Sequence, residues 1–182
     1  NSPLYNGEAI NAYIPAKLGW HDAGDYGKYT VSGCSAVYYL LNIFDLFPEK
    51  FGDKELDIPE SGNGVPDILD QAKYEVSWLM NMQAADGGVF ERITTVNWPT
   101  TMPQNDFATR YISEKTTPAT AQFAAVMAMA YRLFLAYWPD LANQCLSKSK
   151  LALNFLLAHP DVLPAGGYYG GNVEIGRASC RE

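Results

Sequence analysis

Thr117-Pro118-Ala119-Thr120-Ala121-Gln122-Phe123-Ala124-Ala125-Val126-Met127-Ala128-Met129-Ala130 is the stretch on which the fold class turns. Thr followed by Pro suits a helix start: the hydroxyl accepts an orphan backbone N–H, and proline has no N–H to leave unpaired. A helix is predicted over 117–138, apolar almost all round. Such a helix either spans a membrane or is buried in protein. Gln122 and Arg132 argue against the bilayer, and the neighbouring sequence supplies the cover that the second reading needs.

That cover is a series of amphipathic helices. Over 31–47, Val37, Leu40, Leu41 and Phe44 keep the i, i+3, i+4, i+7 spacing of one buried face, and Pro48 ends the run. Over 66–83, Ile68, Ala72, Val76, Leu79 and Met80 share one side. Pro66 fits the first turn of that helix, Asp67 and Asp70 lie near its positive end, and Asp86-Gly87-Gly88 stops it. Over 140–158, Leu141, Cys145, Ala152, Phe155 and Leu156 line one face, Pro160 closes the helix, and His159 reads as an end cap. Residues 89–94 alternate enough for a short strand. The rest, up to Thr117, is a long excursion holding Trp98, Arg110 and Tyr111, and such excursions are usually functional or disordered. Connections of such unequal length do not suit an up-down bundle. They suit an all-α toroid, in which outer helices cover inner ones and long loops build a cleft at one end.

The totals narrow the function. Of 182 residues, 48% are hydrophobic and 13% aromatic, which excludes a disordered chain. The formal charge of −7 gives little support to nucleic-acid binding, which needs clustered Lys and Arg. An acidic, aromatic-rich surface suits sugars, whose C–H faces stack on rings while carboxylates take the hydroxyls. Cys34 and Cys145 fall in apolar helical patterns, and no Cys-x-x-Cys or Cys/His pair suggests zinc. Asp67, Asp70 and Glu60 match no compact calcium loop and read as helix-dipole and loop residues. The chain opens Asn1-Ser2-Pro3 without Met or a signal peptide, and is read as a fragment lacking its N-terminus. At the other end Glu174-Ile175-Gly176-Arg177-Ala178-Ser179-Cys180-Arg181-Glu182 has no period, and it matches the translation of a short-read sequencing adaptor. Residues 174–182 are therefore expected to be a non-native tail with no catalytic role.

The chemistry points to Asp22-Ala23-Gly24-Asp25. Two carboxylates three residues apart in a Gly-containing turn can address one small volume. Inverting glycoside cleavage needs a carboxylate that takes a proton from the attacking water, and a separate acid across the bond, about 6.5–9.5 Å away. On spacing alone the pair reads at least as readily as turn and cap residues.

Gly19-Trp20-His21-Asp22-Ala23-Gly24-Asp25-Tyr26-Gly27-Lys28-Tyr29 resembles the signature of glycoside hydrolase family 9, the cellulase family with an (α/α)6 toroid. Residues 58–70, Ile58-Pro59-Glu60-Ser61-Gly62-Asn63-Gly64-Val65-Pro66-Asp67-Ile68-Leu69-Asp70, are similar to the family's second block. Met82-Gln83, Asp86-Gly87-Gly88-Val89 and the stretch 117–130 also agree. The likeness runs in order over most of 19–171, so 1–173 is expected to be the N-terminal part of such a catalytic domain. The resemblance implies that Asp25 is the general base and Asp22 its partner on the nucleophilic water. It further implies that the general acid, a Glu near the end of a domain more than twice this length, lies outside the chain. Four helices of the twelve in the toroid cannot close it, so the chain alone is expected to be inactive and poorly soluble or molten.

Trp20, His21, Tyr26 and Tyr29 flank the aspartates and are candidate sugar contacts, His21 orienting the turn through hydrogen bonds. Arg110 and Tyr111 are further candidates on the excursion. The expected activity is secreted, extracellular hydrolysis of β-1,4-glucosidic bonds in cellulose or a related β-glucan, in endo fashion. No cofactor, membrane or nucleic-acid partner is expected, although calcium is open for the complete domain. The alternatives are an exo-acting β-glucosidase or glucosaminidase of the same family, a catalytically dead sugar-binding helical domain, and a helical-toroid lyase or epimerase.

Overall fold

The computed structural model describes residues 16–95 and 97–163; the proposed tail at 174–182 lies outside them. Four helices dominate: α1 (Thr30–Leu46), α2 (Asp67–Leu79), α3 (Thr117–Phe134) and α4 (Pro139–Ala158). Each lies within a few residues of where the apolar period places it. Five short strands accompany them: β1 (Lys28–Tyr29), β2 (Val89–Phe90), β3 (Arg92–Thr94), β4 (Tyr111–Ile112) and β5 (Lys115–Thr116). They form two antiparallel ladders, β1-β3-β4 and β2-β5. Among the described residues no helix is long and apolar enough to cross a membrane.

The single strand expected over 89–94 is two strands in different ladders. Glu91 sits at the break, buried, with its backbone N–H on the Glu114 carbonyl and its carboxylate accepting the Thr116 hydroxyl. Thr116, not Thr117, caps α3: its Oγ1 accepts the Ala119 N–H at 3.2 Å. The Thr117 hydroxyl is taken elsewhere, donating to the His159 carbonyl and accepting the Val162 N–H, which ties the end of α4 to the start of α3. His159 does cap α4. Its backbone N–H and ring Nδ1 both donate to the Phe155 carbonyl, and the ring stacks on Phe155 at 4.4 Å.

The core lies where α1, α2 and α4 meet α3. Val37, Leu41, Leu69, Val76, Leu79, Phe123, Met127, Phe134, Cys145 and Ala152 are fully or almost fully buried; each large apolar side chain among them contributes roughly 1.5–3 kcal/mol. Cys34 and Cys145 are free thiols inside it, as small hydrophobes should be. The helix read as apolar all round is buried on one side only. It packs on α1 and α4, while Ala121, Ala125 and Ala128 face solvent. On the outer surfaces Tyr39, Leu46, Leu153 and Leu157 are also exposed.

For function, the β1-β3-β4 ladder matters most. Lys28 pairs with Ile93 and Tyr29 with Arg92, while Thr94 pairs with Tyr111. The chain leaving the aspartate turn is thereby laddered to β3, at the start of the 95–110 excursion, whose far end pairs with the other edge of the same strand.

Candidate active site

The aspartate turn is a closed loop of backbone hydrogen bonds. Asp22 N–H donates to the Gly27 carbonyl at 2.8 Å, and Tyr26 N–H to the Ala23 carbonyl at 3.0 Å. Tyr26 takes a left-handed φ of 53° to complete it. His21 Nδ1 donates to the Tyr26 carbonyl at 2.7 Å, bracing the turn from the side.

The two carboxylates meet different surroundings. Asp25 is half-buried, with its Oδ1 accepting the Gly27 N–H at 2.9 Å and its Oδ2 accepting the Tyr29 hydroxyl. Asp22 is exposed. Burial, then the Asp25 hydrogen bond and charge, push the Tyr29 phenol up to about 12, so it stays a donor through any ordinary assay. Arg92 lies over the Tyr29 ring at 5.8 Å. Gly27 leaves no room for a side chain here: a Cβ would sit 2.7 Å from the Tyr29 ring and 3.2 Å from Asp25 Oδ2.

The excursion folds back over this turn. Tyr26 donates through its hydroxyl to the Thr101 carbonyl at 3.1 Å. Trp98 rests against Gly24, whose added Cβ would lie 3.4 Å from the indole. Even so, Trp98 is 68% exposed, so much of the indole is open to solvent where it meets Gly24 of the turn. A groove of about 680 Å³ continues from it, with Asn97, Thr101, Phe107 and Tyr111 among its walls. Arg110 points elsewhere, into a cavity of about 310 Å³ shared with His21, Lys28 and Asp106. There its guanidinium meets the Asp106 carboxylate at 2.9 Å.

The candidates therefore separate by position. Asp22, Asp25, His21, Tyr26 and Tyr29 share the turn, with Tyr29 engaged on Asp25 and Tyr26 on the excursion. Tyr111 lies in the groove with Trp98, and Arg110 lies behind the turn. Trp20 is half-buried and packed against the core. Among the described residues, no three His, Cys, Asp or Glu side chains come together as a metal site.

Two residues that sequence reasoning passed over support the turn from below. Glu75 of α2 is 1% exposed, and its Oε2 accepts the Trp20 N–H at 2.6 Å. Burial pushes its carboxyl up to about 7, against the opposing pull of that N–H and of Lys28. Lys28, itself buried, donates to the carbonyls of Ala16, at 2.8 Å, and Leu18. Burial holds its ammonium below the usual lysine range. The signal for Glu75 was present: it falls between Ala72 and Leu79 at i+3 and i−4, an acid on the apolar face of a helix.

Comparison with known proteins gives a consistent result. The family model described as glycosyl hydrolase family 9 matches residues 6–176. Endoglucanase D of Acetivibrio thermocellus is 38% identical over 170 residues, covering 88% of this chain and 27% of its own length. A cellulose 1,4-beta-cellobiosidase of the same organism is 36% identical over 173 residues, covering 84% of this chain and 19% of its own. In structure, a metagenome-derived glycoside hydrolase family 9 endoglucanase superposes with a TM-score of 0.84 at 38% identity, over 92% of this chain and 31% of that one. The chain thus spans about a quarter of the length of the curated relatives it matches.

Proposed function

Because the chain belongs to glycosyl hydrolase family 9, we propose that it carries the nucleophilic half of an inverting β-1,4-glucanase active site. The observation that supports this best is the state of Asp25, half-buried, with its two oxygens held by separate donors in a turn against which Trp98 rests at Gly24. A general base must present a lone pair in a fixed direction to the proton it removes. Each carboxylate oxygen has about two acceptor sites, so one bond from Gly27 and one from Tyr29 fix the plane and leave capacity for water.

The step follows from that geometry. Water, held between Asp25 and Asp22, attacks the anomeric carbon from the face opposite the leaving sugar. Asp25 takes the water proton as the new C–O bond forms, and the glycosidic C–O bond breaks. The departing oxygen receives a proton from an acid across the bond, a group we assign to sequence outside this chain. Trp98 offers a stacking surface for a pyranose ring next to the turn, as aromatic faces do for sugar C–H groups.

The relatives named as endoglucanases favour internal cleavage of the polymer; the one named as a cellobiosidase marks exo action as the second reading. A polymeric glucan is met outside the cell, so the site of action is extracellular. The test is reducing-sugar release from a soluble β-1,4-glucan by the complete enzyme beside its Asp25→Ala variant. Loss of hydrolysis by several orders of magnitude is expected. Binding to the glucan with no hydrolysis in either protein would overturn the reading in favour of an inactive sugar-binding domain.

A further inference from the structure

Glu75 stands apart from every group used above: a buried carboxyl in the helical core, on a different element from the aspartates. We propose that Glu75 is a positioning residue for Asp22 and Asp25, acting by holding the Trp20 backbone N–H and so setting where the aspartate turn begins.

The turn has two ends. Its C-terminal end is fixed by β1, laddered to β3 at Lys28 and Tyr29. Its N-terminal end has no ladder; residues 16–20 lie outside helix and strand. What holds them is side chains: Lys28 on the Ala16 and Leu18 carbonyls, and Glu75 on the Trp20 N–H. Trp20 is two residues from Asp22. A displacement at Trp20 is carried straight into the first carboxylate and, through the Asp22–Gly27 bond, into the loop bearing the second.

The surroundings of Glu75 are shaped for a carboxylate. Gly33 of α1 faces it, and a Cβ there would collide with Oε1. Gly19, at φ 74°, brings the chain so close to α2 that a Cβ would sit 2.6 Å from the buried Trp78 ring. An apolar side chain would satisfy this part of the core at lower desolvation cost, since a buried charge is expensive unless paired and hydrogen-bonded. The Trp20 N–H bond and the charge of Lys28 offset part of that cost while burial outweighs them, and the thiol of Cys34 lies in the same electrostatic neighbourhood. A carboxylate with a backbone N–H in its grip beneath a functional loop is a support of the kind that locks a site's orientation.

The inference rests on the hydrolase reading, and the experiment separates the two. The complete enzyme is assayed on a soluble β-1,4-glucan as wild type, Asp25→Ala, Glu75→Gln, Glu75→Asp and Glu75→Leu, with rates per folded molecule taken from each variant's melt. Glu75→Gln keeps an acceptor for Trp20 and is expected within about threefold of wild type in kcat. Glu75→Asp keeps the charge but withdraws the acceptor by one methylene, and Glu75→Leu removes it. Their kcat is expected to fall roughly 10- to 100-fold with KM little changed, the cost of misplacing a reacting group by about an ångström. A structural role alone would lower the melting temperature without this split between kcat and KM and without rescue by Gln. If Glu75→Leu does not fold, Glu75→Asp decides. Unchanged kcat in folded Glu75→Asp, beside an inactive Asp25→Ala, overturns the inference alone. No hydrolysis by wild type, or full activity in Asp25→Ala, overturns the hydrolase reading and the role of Glu75 with it.

Discussion

Replacing Tyr29 by Phe tests the assignment of Asp25 more sharply than removing Asp25 itself. The substitution deletes one oxygen and leaves the ring, its contact with Arg92 and the β1 ladder in place. Asp25 then keeps the Gly27 N–H on Oδ1 and loses the donor on Oδ2. A hydrogen bond to an ionised group contributes about 1.5–3 kcal/mol. The site is half-exposed, so water partly replaces the phenol and the lower end applies. At about 1.4 kcal/mol per factor of ten, kcat should fall about tenfold. KM should hold, because the phenol hydroxyl is engaged on Asp25. With the wild-type phenol at about 12, Tyr29 itself contributes no limb to a pH–rate profile below that range. Steady-state kinetics on a soluble β-1,4-glucan measure both parameters. A variant with wild-type kcat would show that the Tyr29–Asp25 bond does not aim the base. A loss as deep as that of Asp25→Ala would show that Tyr29 takes part in the chemistry, and the assignment of Asp25 as sole base would fall.

Asp25→Ala removes the proposed base and should lower kcat by at least about 10²–10⁴-fold, the usual share of general base catalysis, with binding retained; wild-type turnover would refute it. Trp98→Ala should raise KM about tenfold, equivalent to 1.4 kcal/mol of binding, with kcat little changed; an unaltered KM would mean that the open indole face meets no sugar. Gly19→Ala combines a left-handed φ with a Cβ 2.6 Å from Trp78, and should destabilise the protein by about 2–4 kcal/mol in a urea melt. Glu75 carries a pH signature as well. Its folded carboxyl is raised from 4.5 to about 7, so the native state holds a proton over that interval that the unfolded chain has released. Its contribution is therefore full below pH 4.5 and lost as pH rises to about 7, by about 3 kcal/mol. A smaller difference in urea midpoint between pH 4.5 and pH 8 in Glu75→Gln than in wild type is the expected result, and identical differences would refute it.

The helices were legible because burial writes a 3.6-residue period, and Val37, Leu41 and Phe44 or Ala72, Val76 and Leu79 carry it plainly. Boundaries were less so. Thr116 and Thr117 are equally good caps by type, and only the β5 pairing and the end of α4 decide which hydroxyl is free to do it. The run 89–94 reads as one strand because alternation does not show that Glu91 turns inward between two ladders. The turn carrying Asp22 and Asp25 stood out as a motif, yet its surroundings did not. Trp98 reaches Gly24 across more than seventy positions, and Glu75 reaches Trp20 across fifty-five. Neither contact has a local period. An acid on an apolar helical face was the one visible trace of the second.

The division of labour in this site follows from where each residue can be held. Asp22 and Asp25 lie in a loop, where a carboxylate stays open to water, but a loop on its own aims poorly. Aim is supplied by groups that hold the turn from outside it: Tyr29 in β1 with Gly27 just before it, the excursion through Tyr26 and Trp98, and the buried Glu75 and Lys28. A left-handed Tyr26 and a buried carboxyl are each unfavourable locally, and they persist only because the packing around them leaves no alternative. The aspartate turn is thus separable from its chemistry. Moved onto another helical scaffold, Asp22-Ala23-Gly24-Asp25 would carry over its carboxylates but not their direction, and direction is what distinguishes a general base from a helix cap.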